Sequence, residues 1–435
     1  MTRTGGTWRS WSGLSTARPT SVLTPRDVGE VVDAVVAAHR QGGTVKMVGS
    51  GHSFTDIAVA VGLLLRPDLL SGITRVDRDA MTVTVLAGTP LHVLNARLSG
   101  LGLGLHNMGD IDRQTVAGAV STGTHGSGGR WASLSDQLAA LELVTADGAV
   151  VRASRDEHPD LFAAARVGLG ALGVLTSVTL MVEPEFRLTA TEGPMRFEEL
   201  VEAFDRLVEE HHHVDVHWFP RTDRALVKRN DRTLDPAAPL SRRRAYLEDH
   251  LLDNRVFGLM NRVGDLAPRT IPGMNRLAAR TLSTRSYTDI APRVFVAERL
   301  VRFREMEYAV PSEAGMAALL EARRVIDGSD WPITFPVEVR SAPADDGWLS
   351  TSYGHDSTYL AFHVNARTDH RAYFTAVERV LRDHGGRPHW GKLHTRTAED
   401  LAPAYPRWAD FAAVRDRVDP DRVFTNRYLA RVLGP

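Results

Sequence analysis

The loop at residues 48–54 (VGSGHSF) constrains the fold of this chain more than any other stretch. It follows residues 44–47, a short apolar run that predicts a β-strand, and it carries two glycines within three residues. Glycine lets the backbone approach a ligand with its N–H groups exposed, which suits a pyrophosphate. A tight turn with a polar tip is the alternative interpretation. The loop therefore predicts either a phosphate cradle with His52 on its rim or a simple turn.

The elements around this loop exclude a nicotinamide-type Rossmann unit. Thr24 and Pro25 predict a helix start, with Thr24 as the N-cap, and valines at positions 28, 31, 32 and 35 form one apolar stripe. The pair Gly42-Gly43 ends this helix before the strand. A Rossmann unit needs a helix directly after its glycine-rich turn, and the sequence predicts none after residue 54.

A second glycine-rich stretch lies at residues 121–129 (STGTHGSGG), shortly after residues 109–118 (GDIDRQTVAG). Its glycines, hydroxyl side chains and histidine have the composition of a phosphate cradle. A flexible surface linker is the alternative, because linkers are also rich in glycine and serine. Apolar segments at residues 116–120 and 134–144 frame the stretch, which favours the cradle.

The pattern of the first 186 residues predicts an α+β domain. Alternating apolar residues and turn signals predict hairpins at residues 73–86 and 138–153, and a strand at residues 174–182. A short helix is predicted at residues 159–167. Glycine becomes less frequent beyond residue 186, so we place a domain boundary there.

The second part of the chain carries fewer signals. An amphipathic helix is predicted at residues 197–210, and His211, His212 and His213 follow it. Three consecutive histidines point in different directions and no nearby carboxylate has ligand spacing, so we predict a solvated helix end and no metal site. The run from Arg242 to Arg244 is predicted to be exposed charge.

Three polar positions in this second part are candidates for chemistry. Glu338 and Arg340 alternate along a predicted strand and therefore project from one face of it, although a plain ion pair would give the same pattern. His363 lies on another predicted strand, where a core histidine is the alternative. Residues 387–395 (RPHWGKLHT) are compact, aromatic and basic, and they include Lys392.

Composition sets further limits. The net charge is −1, so no basic surface for nucleic acid is implied. The absence of cysteine excludes disulfides, thiolate metal sites and thiol catalysis. The first 20 residues lack the apolar core of a secretion signal, and no apolar run approaches the ~20 residues of a transmembrane helix. The sequence predicts a globular cytoplasmic protein without a transmembrane segment.

The motifs GSGHSF, TVAGAVSTGTHGSG, VEVR and HWGK occur in this order, and together they resemble flavin oxidases of the vanillyl-alcohol oxidase superfamily. The resemblance is strongest to its aldonolactone branch, which includes D-arabinono-1,4-lactone oxidase and L-gulono-1,4-lactone oxidase or dehydrogenase. Alditol oxidase is a close relative. The resemblance spans nearly the whole chain. It implies a two-domain α+β flavoprotein, with an FAD-binding domain (1–186), a substrate or cap domain (187–400) and a C-terminal segment that returns to the FAD domain (401–435).

The resemblance also implies the cofactor and the residues that bind it. The cofactor is FAD, covalently attached through His52 at the flavin 8α-methyl carbon. The implied cofactor-binding residues are Val48, Gly49, Ser50, Gly51, His52, Ser53, Gly109, Asp110, Ala117, Gly118, Ser121, Thr122, Thr124, His125, Gly126 and Val174.

The implied reaction is oxidation of a CH–OH group by hydride transfer to flavin N5. Lys392 would stabilise the developing alkoxide and Arg340 the negative charge of the reduced flavin, with Glu338 holding substrate hydroxyls and Arg340. Asp110 and His363 would bind substrate. A flavin-binding protein without turnover is the alternative from another class, but it would not need Glu338, Arg340 and Lys392.

Two positions bear on substrate and electron acceptor. Alditol oxidases carry serine where this chain has Asp110, so the resemblance favours an aldonolactone of the D-arabinono or L-gulono type over polyols such as xylitol or sorbitol. Gly109 occupies a position associated with access of dioxygen to the flavin. A small residue there favours an oxidase that forms hydrogen peroxide, with another electron acceptor as the alternative.

Overall fold

The computed structural model of the chain describes residues 3–4, 6–128, 131–241, 257–297 and 301–435. The run from Arg242 to Arg244 lies outside these residues. In chain order, the strands are β1 (Arg3–Thr4), β2 (Trp8–Arg9), β3 (Thr16–Ala17), β4 (Ser21–Leu23), β5 (Val45–Met47), β6 (Leu63–Leu65), β7 (Ile73–Asp77), β8 (Thr82–Leu86), β9 (Leu103–Gly104), β10 (Leu138–Val144), β11 (Val150–Ser154), β12 (Val174–Met181), β13 (Glu183–Pro184), β14 (Arg187–Arg196), β15 (His213–Trp218), β16 (Arg224–Thr233), β17 (Arg285–Ile290), β18 (Phe303–Pro311), β19 (Val337–Ala342), β20 (Ser357–Asn365) and β21 (Arg387–Pro388).

The α-helices of the described residues follow the same order along the chain. They are α1 (Val28–Arg40), α2 (Leu91–Gly100), α3 (Val116–Ser121), α4 (Pro159–Ala165), α5 (Phe197–Glu210), α6 (Phe257–Leu266), α7 (Ile271–Thr281), α8 (Ala291–Phe295), α9 (Ser312–Asp327), α10 (Arg371–Asp383), α11 (Ala398–Leu401), α12 (Trp408–Val418) and α13 (Arg427–Leu433). None of the helices in the described ranges is long and apolar enough to cross a membrane.

A small sheet presents the loop at residues 48–54. Strands β4, β6 and β5 run parallel in that spatial order, and β1 adds antiparallel to β4. The loop leaves the end of β5, and α1 covers the sheet with the buried Val31 and Val35. The predicted helix exists, but its N-cap is Asp27 and not Thr24, so that part of the prediction is wrong. The Asp27 carboxylate accepts the Glu30 N–H at 2.9 Å, which satisfies one of the free donors of the first turn.

An antiparallel sheet of order β11-β10-β12-β8-β7 forms the second part of the N-terminal half. The predicted hairpins and strand are therefore confirmed. Thr115 caps α3, which carries part of the second glycine-rich stretch, by accepting the Gly118 N–H at 3.3 Å. Helix α13, from the C-terminus, packs Tyr428, Leu429 and Val432 into the same hydrophobic core.

The C-terminal half is built on an eight-stranded sheet of order β17-β14-β16-β15-β19-β20-β18-β21. Helices α5, α9 and α10 bury apolar side chains against one face of it. The alternate residues of its central strands are polar and lie on the other face, towards the N-terminal half.

The prediction of a solvated helix end at the three histidines is wrong for His213. This residue begins β15, is fully buried, and its ring packs edge-on against Phe295 at 4.7 Å between centroids. His211 does cap the end of α5, partly exposed, where its Nδ1 lies 2.8 Å from an Asp231 carboxylate oxygen. Only His211 and His212 separate the helix from the strand, so the chain enters the sheet almost at once.

Candidate active site

An open cavity lies between the small sheet, the antiparallel sheet and Phe424 of the C-terminal segment. The loop after β5 forms one wall and α3 another. Predicted cofactor residues that line the cavity are Val48, Gly49, Ser50, Gly51, His52, Ser53, Ala117, Gly118, Ser121, Thr122 and Val174. Residues that line it without having been predicted include Lys46, Gln114, Thr115, Gly170 and Phe424.

The loop at residues 49–53 has free hydrogen-bond donors. Val48 and Phe54, on either side of it, donate their backbone N–H groups to the carbonyl oxygens of Leu65 at 2.9 Å and Gly391 at 2.7 Å. Within the described part of the chain, none of the five N–H groups between them donates to a protein acceptor. Free backbone donors on a cavity wall are rare unless a ligand uses them. These residues fit the diphosphate of a dinucleotide such as FAD.

Gly49 shows why the loop needs glycine. A Cβ at this position would lie 2.1 Å from Thr115 Oγ1, so a side chain could not be accommodated without moving the start of α3. Gly51 has a φ of +68°, which disfavours other residues, and the Trp8 indole packs directly against it. The two glycines therefore allow the loop to pack closely against Thr115 and Trp8 and to face the cavity.

His52 lies on the rim of this cavity. Its ring stacks on the Trp11 indole, with centroids 5.5 Å apart and planes 26° apart. Burial, and then the positive charges of Lys392 and Arg113, lower the pKa of His52 to about 4. The imidazole is therefore neutral at physiological pH, the form in which its nitrogen is nucleophilic.

Polar side chains form a row across the eight-stranded sheet beside His52. Glu338 on β19 is in register with His217 on β15 and Ala361 on β20, and Ala361 is in register with Glu307 on β18. His217 Nε2 lies 3.3 Å from the Glu338 carboxylate. Side chains in register on neighbouring strands share a face, so this row forms one polar surface.

Arg340 is held by carboxylates from three segments. Its guanidinium donates to Glu338 at 2.7 Å and to Asp215 at 2.8 Å, and it lies 3.6 Å from the Asp110 carboxylate of the N-terminal half. Burial opposes the charged form, but Glu338, Asp110 and Asp215 outweigh it and raise the pKa of Arg340 well above its usual value. Arg340 is therefore a fixed cation.

Lys392 is held in the same way on the other side of the row. Its ammonium forms an ion pair with Glu305 and lies 3.8 Å from Glu307, and it sits over the Phe54 ring of the cavity loop at 5.5 Å. Burial would lower the pKa of Lys392, but the charges of Glu305 and Glu307 raise it. The side chain is thus an ammonium at neutral pH.

His125 and His363 complete the polar surface. His125 donates from Nδ1 towards the Gly126 carbonyl oxygen at 2.8 Å, and its Nε2 lies 3.2 Å from Glu307. His363 Nε2 lies 3.4 Å from Glu305, and its ring packs against Phe303 and Phe335. The structure therefore brings Glu338, Arg340, Lys392, Asp110 and His363 to one partly buried polar surface next to His52.

Some predicted cofactor residues lie beside the cavity wall instead of on it. Gly109 packs so closely on the second glycine-rich stretch that a Cβ would come 3.0 Å from the His125 carbonyl oxygen. Gly126 packs on Asn107, and Thr124 exchanges hydrogen bonds with Gln114. Asp110 and His125 face the polar row of the C-terminal half.

Several residues of this surface were not predicted from the sequence. They are Asp215, His217, Glu305, Glu307 and His389. The signal was present, since Asp215 and His217 alternate with valines and tryptophan on β15, and Glu305 and Glu307 alternate within β18. Charged residues at every second position of an otherwise buried strand indicate a polar face that another part of the protein covers.

Two family models match the chain. The FAD binding domain model matches residues 19–154, and the D-arabinono-1,4-lactone oxidase model matches residues 178–432.

Curated relatives cover nearly the full chain. The L-gulono-1,4-lactone dehydrogenase of Mycobacterium tuberculosis is 40% identical over 98% of this chain and 99% of its own length. The mouse L-gulonolactone oxidase is 30% identical, with 98% of both chains covered. The alditol oxidase of a Streptomyces species is 33% identical, again with 98% of both covered.

Solved structures agree on the fold. A cholesterol oxidase from Brevibacterium sterolicum superposes with a TM-score of 0.84 at 18% sequence identity and covers 100% of this chain and 97% of its own. A second structure of cholesterol oxidase from that organism has a TM-score of 0.83 at 21% sequence identity. The match covers 99% of this chain and 96% of the cholesterol oxidase chain. At this identity the likeness concerns the α+β fold alone.

Proposed function

This chain belongs to the D-arabinono-1,4-lactone oxidase family of FAD-dependent oxidoreductases, and on that premise we propose that it oxidises an aldono-1,4-lactone of the D-arabinono or L-gulono type. The single observation that supports this most is the polar surface beside the cofactor cavity, on which Arg340 pairs with Glu338 and Asp110 and Lys392 pairs with Glu305. Bound FAD would be held by the loop at residues 49–53 and would supply the acceptor for the hydride of the carbinol carbon. Side chains of this protein stabilise the charges that develop and bind the hydroxyl groups of the substrate.

Lys392 is the group that meets the substrate hydroxyl in this proposal. Since Glu305 and Glu307 keep it charged, it stabilises negative charge on the substrate oxygen as the hydroxyl proton passes to solvent. Glu338 accepts hydrogen bonds from neighbouring hydroxyls. His363 lies on the adjacent strand and contributes a further polar contact to a polyhydroxylated ring.

Arg340 contributes fixed positive charge that needs no rearrangement during the reaction. Its bonds to Glu338 and Asp215 hold the guanidinium plane, so one remaining edge can face the negative charge that a reduced ring system acquires. A preorganised charge is worth more than one that must move into place, because no reorganisation accompanies the reaction.

A substrate panel tests this function. We expect turnover with L-gulono-1,4-lactone or D-arabinono-1,4-lactone and little with xylitol or sorbitol. The similarity to the Streptomyces alditol oxidase supports oxidation of a polyol as the second candidate. A preference for xylitol over both lactones would establish that second candidate instead.

The electron acceptor is part of the proposal. We propose that dioxygen reoxidises the cofactor and forms hydrogen peroxide, supported by the small residue Gly109. A Cβ at this position would lie 3.0 Å from the His125 carbonyl oxygen, so a larger side chain would require the second glycine-rich stretch to shift. Peroxide equal to the lactone consumed in air is the expected result, and turnover only with an added dye acceptor would show a dehydrogenase.

Covalent attachment of FAD through His52 is also proposed. The neutral, half-buried imidazole on the cavity rim supports it, because bond formation needs a nitrogen lone pair. We predict that the yellow colour of the wild-type protein stays with the precipitate in acid, and that His52→Ala releases it. The measurement is flavin absorbance in the supernatant, and release from the wild type would show a non-covalent cofactor.

The domain limits remain a proposal as well. An FAD-binding domain at 1–186, a cap domain at 187–400 and a returning segment at 401–435 are supported by two features. The eight-stranded sheet begins at Arg187, and helix α13 packs in the N-terminal core.

A further inference from the structure

Lysine is rare in this chain. Of the 52 Lys and Arg residues only three are lysines, namely Lys46, Lys228 and Lys392. Lys392 belongs to the polar surface, and Lys228 lies in the cap sheet, where it donates to the Val294 carbonyl oxygen at 2.7 Å. Lys46 takes no part in the chemistry above, yet it is 4% exposed and lines the cofactor cavity.

The ammonium of Lys46 is bound by neutral groups. It donates to the carbonyl oxygens of Gly170 at 3.1 Å, Phe424 at 3.4 Å and Leu169 at 3.5 Å. Burial, and then the charge of Arg415, lower the pKa of Lys46 to about 7, although Asp419 acts in the opposite direction.

Asp419, the acid near Lys46, already accepts hydrogen bonds from the backbone. The Asp419 carboxylate accepts the backbone N–H groups of Val423 at 2.7 Å and Phe424 at 3.0 Å. The positive charge of protonated Lys46 is therefore only partly compensated in the free protein, and the side chain is partly neutral near pH 7. A diphosphate in the same low-dielectric cavity brings the missing negative charge, and such attraction is strong away from water.

We propose that Lys46 supplies the positive charge that offsets the diphosphate of FAD, so that cofactor binding is coupled to the uptake of one proton by this side chain. The proton comes from solvent and converts the neutral amine to the ammonium. No bond to the cofactor is made. This role rests on FAD binding, and it is independent of the substrate and of the bond to His52.

A purely structural role for Lys46 makes a different prediction. Leu169 and Gly170 have φ values of +56° and +62°, and Lys46 holds this left-handed turn against β5. If that were its only function, its loss would weaken binding of any ligand that contacts the turn, charged or not, and binding would take up no proton.

Proton uptake is measured by calorimetry on His52→Ala apoprotein, prepared in a riboflavin-starved host so that FAD exchanges freely. Titration with FAD at pH 7.5 in buffers of different ionisation enthalpy is expected to show uptake of more than half a proton. The Kd should rise with pH above 7 by up to about tenfold per unit, because the free protein then loses the proton that the complex retains. Zero uptake together with a Kd independent of pH would overturn the proposal.

The second measurement compares ADP with adenosine on Lys46→Met and the matched control Lys228→Met. We expect Lys46→Met to weaken the binding of ADP at pH 6 by about tenfold or more and to leave the binding of adenosine unchanged. It should also abolish the proton uptake that accompanies FAD binding. Lys228→Met should match the parent for both ligands. Equal weakening of ADP and adenosine would assign Lys46 the structural role, and the proton count on the parent protein decides the question if Lys46→Met does not fold.

Discussion

At the scale of single residues, the roles proposed for Lys392 and Arg340 depend on carboxylates that come from elsewhere in the chain. Arg340 is buried and Lys392 is partly buried, and burial alone would lower the pKa of both side chains. Glu305 and Glu307 prevent this for Lys392, as Glu338, Asp110 and Asp215 do for Arg340. These carboxylates therefore determine that Lys392 and Arg340 stay positively charged.

We predict that Glu305→Gln shifts the alkaline side of the pH profile. Without Glu305, burial lowers the pKa of Lys392, so the ammonium is lost at lower pH and kcat/KM falls earlier as pH rises. Profiles from pH 6 to 10 for this variant and for Glu313→Gln, an exposed acid on α9, make the comparison. An alkaline limb equal to the wild type would mean that Glu305 does not hold Lys392 in its charged form.

The sequence alone predicted some of these residues and missed others. Glu338, Arg340 and Lys392 were predicted because each lies in a short motif with a recognisable neighbour. Glu305 and Glu307 lie in a strand without such a motif, and only their alternation marked them. Lys46 was missed because its partners are 123 to 378 residues away in the chain, a distance over which local patterns carry no information.

At the scale of elements, strand register assembles the polar surface. Four neighbouring strands each contribute alternate residues, and the pairing of His217 with Glu338 and of Arg340 with Tyr359 fixes which of them meet. A shift by one residue would turn this row towards the apolar core. The alternation in β19 was readable from the sequence, whereas the order of the strands was not.

Asp215 tests whether this register matters for function. In the proposed mechanism it is a positioning residue, since it accepts a hydrogen bond from the guanidinium of Arg340 on the neighbouring strand. We predict that Asp215→Ala lowers kcat by roughly 10²-fold with little change in KM, because Arg340 loses one of its two fixed bonds. Asp215→Asn keeps an acceptor for Arg340 Nε and should retain most of the activity.

Steady-state kinetics with the preferred lactone separates the two variants. Equal losses in Asp215→Ala and Asp215→Asn would show that the charge of Asp215 matters and its hydrogen bond does not. Wild-type kcat in Asp215→Ala would remove the residue from the mechanism.

At the scale of the whole molecule, the C-terminus closes the structure. Asn426 caps α13 by accepting the Leu429 N–H at 2.9 Å, and its amide donates to the carbonyl oxygens of Asp56, Ile57 and Val59 at 3.0 to 3.1 Å. This one side chain joins the last helix to the segment that follows the cofactor loop. The resemblance implied a returning C-terminal segment, but the contact of this helix with residues near 57 depends on the complete fold.

We predict that Asn426→Ala lowers the free energy of unfolding by roughly 2–4 kcal/mol, because the cap is lost and three carbonyl groups lose their donor. Urea unfolding of the apoprotein measures it. Asn426→Asp keeps the cap acceptor but faces the three carbonyl oxygens with a carboxylate, so it should be at least as unstable. A stable Asn426→Asp protein would show that the cap, and not the amide donor, is what matters.

The most direct measurement of the proposed function is anaerobic reduction of the bound flavin by L-gulono-1,4-lactone, followed at 450 nm in the wild type and in Lys392→Met. We predict bleaching in the wild type at least as fast as turnover, and a rate lower by roughly 10²-fold or more in the variant with the flavin still bound. Equal rates in the two proteins, or a wild-type flavin that the lactones do not bleach, would contradict the assignment of this site.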